Sequence, residues 1–449
     1  MIKSDASSWL EWQKSRSQRK GYSRPFIGSR NYPHFDSPIS LTNKSGIGKL
    51  MSKFDDPAQL AMWSFFPFVK YTRNIRRFRF PPTDSEVNGV ASPVILPPPP
   101  SKSRNQKKFT HLKTRPLMAA AHQDACVFSL YNHVLEKTFE SSLVKDGLTE
   151  NVLAYRSLGG RNNVSFAHDV FEHISEVDNV TCLLIDISGF FDTVNHKNLT
   201  DSIERISPGM TSGWYGHVLR NVTQYRYVLE DEVIKAVKAA RKPYHVSIPG
   251  TKAKRLCKIE DYKSLIDNKK FIRQNKSGVG IPQGSPVSGL LANIYLNEFD
   301  KTMAKLIEKM EGGYYRRYSD DILVVCPTSN AKGVYMQCKK LLADAGLKIK
   351  GAKTEAFDYK NGRLVNSIGI IEPYAKPSRD RMQYLGLEWD GKQIILRPGT
   401  VVKRFRPKKP TKGRYWQYGA MAIRIIRQKG IRKQNLRIRR TVKNKDKTP

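Results

Sequence analysis

Three aspartates stand at the ends of apolar segments that are typical of β-strands. Asp186 directly follows the apolar run 180–185, and the pair Asp320 and Asp321 directly precedes the β-branched run 322–325. Carboxylates gathered at one sheet edge repel each other and attract hard divalent cations such as Mg²⁺. Two such ions could activate a hydroxyl nucleophile and stabilise a leaving pyrophosphate. The pattern therefore predicts a divalent-metal site at which such chemistry could take place.

Between these aspartates lies a tight-turn sequence followed by an apolar helical pattern, IPQGSPVSGLLANIYL at 281–296. Ser285 is a suitable N-cap and Pro286 a suitable first helical residue, so we predict that the helix begins there. A loop around Pro282 and Gly284 would hold Gln283 at the helix entrance. In that position the Gln283 side chain could contact a base edge or a ribose.

In chain order, these motifs resemble those of reverse transcriptases of the bacterial type. This broad group includes the retron, group II intron and phage-defence enzymes. The matching segments are DISGFFDTVNH at 186–196, PQGSP at 282–286, YSDD at 318–321, LKIKGAKT at 347–354 and YLG at 384–386. Upstream, TRPL at 114–117 and AYR at 154–156 fit the fingers region. The resemblance covers about residues 104–389.

The resemblance implies catalytic roles for four side chains. Asp186, Asp320 and Asp321 would hold two Mg²⁺ ions, with Mn²⁺ as the alternative metal, and the Ile187 carbonyl would be an additional ligand. Lys353 would lie close to the triphosphate as a proton donor to pyrophosphate. The alternative for the three aspartates is a structural role in ordinary ion pairs.

The resemblance also implies substrate-binding residues, namely Arg115, Phe191, Gln283, Gly284, Leu385 and Gly386. Arg115 would bind a triphosphate oxygen, because its planar fork matches phosphate geometry. Phe191 matches the aromatic gate that rejects a ribonucleotide 2′-hydroxyl, with core packing as its alternative role. Gln283 would contact the template or the incoming base, and Leu385 and Gly386 belong to the primer grip.

The implied fold class is α+β. It is a right-hand polymerase with an antiparallel palm sheet backed by helices, plus fingers and a short basic helical thumb. We predict a basic aromatic N-terminal extension with a Pro-rich linker at 1–100 and fingers at 101–180. The palm would span 181–398, with a basic insertion at 230–276 and the primer grip. A basic thumb or C-terminal tail would span 399–449.

The charge predicts a polyanionic partner. The chain has 78 Lys and Arg against 40 Asp and Glu, a net charge of +38. In the segment 403–449, eighteen basic residues face the single acid Asp446, a net charge of +17. Such a field opposes compaction unless a polyanion neutralises it, and nucleic acid is the first candidate, before an anionic membrane surface.

The sequence argues against membrane insertion and against a disulfide framework. The most apolar window, 60–69, is about half the length that a spanning helix needs. No secretory signal pattern is present at the N-terminus. The five cysteines never show C-x-x-C spacing, which disfavours disulfide and zinc frameworks. We therefore expect a cytoplasmic protein with no membrane partner.

The leading interpretation is an RNA-directed DNA polymerase that makes a DNA product from an RNA template and dNTPs. The charge of the 403–449 segment leads us to expect a cognate structured non-coding RNA as template. We expect a role in anti-phage defence, because no endonuclease or RNase H motif follows the primer grip and a long N-terminal extension precedes the resemblance. A retron or group II intron-type enzyme is the alternative branch. An RNA-dependent RNA polymerase and a non-catalytic RNA-binding polymerase scaffold are the other candidates. Primer identity and oligomeric state stay open.

Overall fold

The computed structural model describes residues 2–18, 32–79, 95–96, 109–248, 254–266, 271–367 and 381–396. The predicted thumb or tail at 399–449, and most of the predicted Pro-rich linker, lie outside these residues. Among the helices that the structure describes, none is long and apolar enough to cross a membrane.

The helices, in chain order, are α1 (Ile2–Gln18), α2 (Lys44–Phe54), α3 (Pro57–Ala61), α4 (His122–Lys145), α5 (Asn163–Glu176), α6 (Phe190–Thr193), α7 (His196–Ile206), α8 (Gly213–Thr223), α9 (Glu230–Ala239), α10 (Ile259–Asp261), α11 (Ser288–Tyr295), α12 (Asn297–Glu308) and α13 (Ala331–Asp344). A π-helical turn spans Tyr262–Ile266, and 3₁₀ turns span Thr328–Asn330 and Gly351–Lys353.

The strands, in chain order, are β1 (Phe68–Arg79), β2 (Ile95–Leu96), β3 (Phe109–Ala119), β4 (Val180–Asp186), β5 (Arg226–Leu229), β6 (Val246–Ser247), β7 (Lys254–Arg255), β8 (Arg273–Gln274), β9 (Tyr314–Tyr318), β10 (Asp321–Pro327), β11 (Glu355–Lys360), β12 (Arg363–Asn366), β13 (Met382–Tyr384), β14 (Leu387–Trp389) and β15 (Ile394–Leu396).

The chain divides into two compact units. The first comprises Met1–Thr149, Gly189–Glu298 and Ala345–Leu347, and the second comprises Glu150–Ser188, Phe299–Asp344 and Lys348–Pro449. The segment 230–276, predicted to be an insertion in the palm, belongs to the first unit. The domain boundaries proposed from the sequence stay predictions.

The first unit is built on a sheet with strand order β2-β3-β1-β5-β8. β1 and β3 pair antiparallel from Val69 opposite Ala119 to Arg79 opposite Phe109, and β5 pairs parallel with β1. The apolar side chains of this sheet pack against α9 and the π-helical turn, with Val69, Val228, Val233 and Tyr262 in one core.

Helix α4 is the longest of the described helices in the first unit, and its N-terminus is capped from a distant loop. The backbone N–H groups of His122 and Gln123 donate to the Asp36 carboxylate at 2.9 and 2.8 Å. Such a cap satisfies N–H groups that have no partner within the helix. Helix α1 packs on α4, where Trp9 Nε1 donates to Ser129 Oγ at 2.9 Å.

The second unit contains an entirely antiparallel five-stranded sheet with strand order β12-β11-β4-β10-β9. Its central strand β4 is buried along almost its whole length, because both faces are covered. Apolar residues of α5, including Val170 and Phe171, form one core with Leu323, Phe357 and Trp389. Helix α5 begins with a capping box between Asn162 and Ser165. This unit matches the predicted antiparallel sheet backed by helices.

Candidate active site

The predicted metal-binding hairpin is the turn between β9 and β10. β9 ends at Tyr318 and β10 begins at Asp321, so Ser319 and Asp320 form the turn. Ser319 has a φ of 61°, in the left-handed region that non-glycine residues seldom adopt. The turn therefore places two adjacent carboxylates at the end of a buried strand.

Asp186 lies directly opposite this hairpin. In the antiparallel pairing of β4 with β10, the Cα of Asp186 is the partner of the Cα of Asp321. The Ile187 N–H continues the pairing by donating to the Asp320 carbonyl at 3.1 Å. Directly opposed residues project their side chains from the same face of a sheet. The structure thus brings Asp186, Ile187, Asp320 and Asp321 together within the second unit.

Lys353 reaches the same place from the 3₁₀ turn that precedes β11. The Lys350 N–H donates to the Asp186 carbonyl at 2.7 Å and fixes the start of this turn. Lys353 Nζ lies 2.5 Å from Asp186 Oδ2. The Lys353 side chain is 45% exposed and that of Asp186 only 11%, so solvent reaches the ion pair from the lysine side.

The donor set fits a hard divalent cation. Three carboxylates and the Ile187 carbonyl are oxygen donors of the kind that Mg²⁺ prefers. The Asp186 carboxylate already binds a cationic group, the Lys353 ammonium, which shows that it can accept a positive charge. The three aspartates would hold the metal, although in the described residues they are not a group whose ligand atoms all lie within 4.8 Å of one another.

One tight group with metal-ligand chemistry does occur in the described residues, on helix α5. The potential ligand atoms of His168, Asp169 and Glu172 lie within 4.8 Å of one another. Arg161 donates to Asp169 at 2.7 Å, and His168 Nδ1 lies 3.5 Å from Glu172 Oε2. Asp169 therefore pairs with Arg161, which precedes the helix, and His168 and Glu172 are neighbours one helical turn apart.

The predicted primer grip is the turn between β13 and β14 in the second unit. Leu385 and Gly386 have φ values of 42° and 96°, as a tight turn between paired strands requires. Tyr384 is buried next to this turn, and its hydroxyl has no hydrogen-bond partner among the described residues. Burial, reinforced by the charge of Asp321, raises the pKa of Tyr384 well above its usual value.

The predicted template-binding loop lies in the first unit, where it is attached to the end of β3. The Met118 N–H donates to the Gln283 carbonyl at 2.8 Å. Gly284 has a φ of +118°, and a Cβ there would lie 2.7 Å from the Met118 carbonyl oxygen. Only glycine fits this approach of two backbones. The Gln283 side chain remains partly exposed at the surface of the loop.

The prediction that Ser285 caps the following helix is wrong. Helix α11 begins at Ser288 with Val287 in the N-cap position. The Ser288 hydroxyl, rather than that of Ser285, binds the loop by donating to the Pro282 carbonyl at 2.7 Å. The Ser285 hydroxyl is buried with no hydrogen-bond partner among the described residues. Attachment to β3 extends the loop by two residues before the helix can begin.

Phe191 and Arg115 also belong to the first unit. Phe191 lies in α6, where its half-buried ring has its centroid 5.7 Å from that of Phe190. Its carbonyl accepts a hydrogen bond from the Ile281 N–H at 2.8 Å, which joins α6 to the template-binding loop. Arg115 lies on β3 opposite Arg73, and its side chain lies outside the described atoms.

The sequence interpretation did not single out Arg317 and Asp300, which form a fully buried ion pair beneath the hairpin. The alternation of side chains between the two faces of β9 could have indicated that Arg317 is buried. In YYRRY at 314–318 every second residue is buried, which places Arg317 inside and Arg316 on the other face.

One comparison with known proteins gives a family match. A family model described as "Reverse transcriptase (RNA-dependent DNA polymerase)" matches residues 113–389. No curated protein matches the chain significantly.

The solved structures that match the chain include two Candida telomerases. Apo telomerase from Candida tropicalis, truncated from the C-terminal domain, is 11% identical with a TM-score of 0.41, covering 63% of this chain and 52% of that one. Telomerase from Candida albicans in complex with a TWJ fragment of telomeric RNA is 15% identical with a TM-score of 0.37, covering 64% and 45%. The chain spans about half the length of these structures.

Proposed function

Because the chain belongs to the reverse transcriptase (RNA-dependent DNA polymerase) family, we propose that it is an RNA-directed DNA polymerase that joins dNTPs into cDNA on an RNA template. The family match confirms the resemblance at the level of the family, together with the α+β fold and its antiparallel sheet. The bacterial, retron or defence subtype belongs to the proposal.

The observation that carries this proposal is the register of β4 and β10. It sets Asp186 opposite Asp321, with Asp320 in the adjoining turn. Three acids are gathered where β4 ends and β10 begins, in a chain of net charge +38. Carboxylates so placed repel each other, and a bound divalent cation would relieve that repulsion. When bound there, Mg²⁺ would supply stabilisation of the charge that develops on the attacking and leaving oxygens.

Other residues of the second unit would supply a proton and hold the primer. Lys353 must release Asp186 to act as a proton donor to the leaving pyrophosphate, and its partly exposed side chain leaves it free to move. The Leu385–Gly386 turn would hold the primer strand through its backbone.

The residues of the first unit would select the substrate. Phe191 would exclude a ribonucleotide 2′-hydroxyl, and Arg115 would bind a triphosphate oxygen. Gln283, whose backbone is fixed by Met118, would present its side chain to the template or incoming base. Gly284 allows the close backbone contact on which this position depends.

Primer extension with the purified chain tests this function. A DNA primer annealed to an RNA template should be extended with dNTPs and Mg²⁺ or Mn²⁺, and rNTPs should be used much more slowly. Equal use of rNTPs would favour an RNA-dependent RNA polymerase. A protein that binds RNA without extending any primer would favour the non-catalytic scaffold.

The identity of the RNA template is a more specific proposal. We propose a cognate structured non-coding RNA, copied in anti-phage defence, and a cytoplasmic location. The support is the concentration of positive charge at 403–449, which exceeds what a short primer–template duplex requires, and the five cysteines, which are free and buried. Shape and single-stranded loops would provide selectivity for such an RNA.

The salt dependence of RNA binding tests this partner. Each phosphate contact contributes about 0.7 to 0.9 to the slope of log affinity against log salt concentration. Replacing Arg437, Arg439, Arg440, Lys443 and Lys445 with Gln should flatten the slope and weaken binding to the RNA that copurifies with the protein. An unchanged slope would mean that the tail does not bind this RNA, and sequencing the RNA would identify the template.

A further inference from the structure

Arg317 is an arginine in a place where an apolar residue would be ordinary. It lies on the buried face of β9 and is fully enclosed, as is its partner Asp300 on α12. Arg317 Nε donates to Asp300 Oδ1 at 2.8 Å and Nη2 donates to Oδ2 at 2.6 Å. The Tyr315 hydroxyl donates to the same carboxylate at 2.5 Å. This two-pronged geometry fixes the plane of the guanidinium.

The third arm of the guanidinium reaches the metal-binding hairpin. Arg317 Nη1 donates to the Ser319 carbonyl at 3.1 Å. Ser319 is the residue of the turn with a φ of 61°, a conformation that costs energy for any side chain other than glycine. The hydroxyls of Ser319 and Tyr155 also form a hydrogen bond of 3.1 Å. The turn is therefore held through both its carbonyl and its side chain.

The backbone of Arg317 is fixed as well. Its N–H donates to the Asn151 carbonyl at 2.7 Å, and its carbonyl accepts from the Leu153 N–H at 2.9 Å. On the other side, Arg317 lies opposite Ile322 in the β9–β10 pairing. An anchored backbone and an anchored guanidinium leave the Ser319 carbonyl little freedom.

We propose that Arg317 is a positioning residue: held by Asp300, it fixes the Ser319 carbonyl and thereby directs Asp320 and Asp321 toward Asp186. The inference rests on the proposed function, because it assigns a role in building the metal site. It also explains why a charge pair is kept in the core. A buried ion pair often stabilises a fold no better than apolar residues would, whereas it does specify one arrangement.

A lysine could not replace this arginine. Its ammonium carries the same charge but lacks the planar fork that binds Asp300 with two arms and Ser319 with a third. Arg316 provides the matched control, since it lies on the same strand and on the opposite face. Its guanidinium stacks on the Tyr314 ring at 4.0 Å.

The experiment measures Mn²⁺ binding by electron paramagnetic resonance, with full-length protein and no nucleic acid. We expect Arg317→Lys to weaken Mn²⁺ affinity by about 10-fold to 100-fold, the usual effect of removing a group that orients metal ligands. Arg316→Lys should leave the Mn²⁺ affinity within about twofold of that of the unchanged protein, because Arg316 lies on the opposite face of the strand and is not proposed to orient a metal ligand. Melting temperatures are measured for each variant.

A double variant separates positioning from stability. Arg317→Met with Asp300→Asn removes both buried charges, so it should melt higher than Arg317→Met alone, which leaves Asp300 unpaired. Its Mn²⁺ affinity should stay low. Unchanged affinity in Arg317→Lys, or recovery of affinity together with stability in the double variant, would overturn the proposal. Because binding needs no turnover, a chain that binds Mn²⁺ but extends no primer would refute only the proposed function.

Discussion

The Lys353 ammonium lies 2.5 Å from Asp186 Oδ2, so a lysine occupies the carboxylate that the proposed metal requires. Lys353→Met should therefore tighten Mn²⁺ binding in the absence of nucleotide. The expected gain is up to about fivefold, because partly exposed ion pairs contribute about 0–1 kcal/mol. The same variant should lower kcat by about 100-fold or more if Lys353 donates the proton. Titration calorimetry and single-turnover kinetics measure the two effects.

Lys348→Met is the matched control for this prediction, since Lys348 is an exposed lysine in the same segment. It should change neither quantity. Opposite effects on binding and rate would be specific to Lys353, whereas a fall in both would mean that Lys353 only supports the site.

Phe191 should determine sugar selectivity. Phe191→Val removes the aromatic ring, and a 2′-hydroxyl could then be accommodated. The ratio of kcat/KM for rNTPs to that for dNTPs should rise by roughly 10-fold or more, since discrimination is a difference in transition-state binding. Phe190→Leu, a change in the neighbouring buried ring, should leave the ratio unaltered. A ratio that is the same in both variants would assign Phe191 to the core.

Gly284 should be sensitive to a single methyl group. In Gly284→Ala, the Cβ would lie 2.7 Å from the Met118 carbonyl oxygen, so the loop must move away from β3. Gly278→Ala is the control, because Gly278 also has a positive φ but open space around it. We expect Gly284→Ala to lose at least about 1 kcal/mol more of unfolding free energy, given the usual cost of backbone strain. Urea denaturation measures both, and equal losses would contradict the close contact.

Asp124 should make the stability of the chain depend on pH. Burial raises the pKa of Asp124 to about 8, although Trp63 and the Phe66 N–H donate to it. The folded protein therefore holds a proton that the unfolded chain releases near pH 4, so folding stability falls as pH rises from about 4 to about 8.

Asp124→Asn tests this pH dependence. The variant should have a flatter melting-temperature profile over the same pH range, even if it is less stable at pH 5. A profile as steep as that of the unchanged protein would show that other groups carry the titration.

The strand ends could be predicted from the sequence, but the contacts that shape the loops could not. The apolar runs before Asp186 and after Asp321 predict β4 and β10, because a short run of apolar and β-branched residues is typical of a buried strand. The start of α11 was placed at the wrong serine, since Met118, more than 160 positions away, determines how far the loop extends.

The burial of Arg317 was not predicted from the sequence either. Two adjacent arginines look equivalent in composition, and only the register of β9 separates the buried one from the surface one. Its partner Asp300 belongs to another element, so nothing local to the hairpin indicates the pair. The tail at 403–449 was interpreted from charge alone, and that interpretation stays a prediction.

The most direct test of the central claim is the rate of dNTP addition to a DNA primer on an RNA template by Asp321→Asn and Asp320→Asn. We expect each rate to fall by at least about 100-fold, because charge stabilisation at the reacting phosphate is lost. The melting temperature without metal should hold or rise, because repulsion between carboxylates is relieved. Glu311→Gln, an exposed change just before β9, should keep full activity. A folded Asp320→Asn or Asp321→Asn protein that extends primers at the normal rate would contradict the assignment of this hairpin as the metal site.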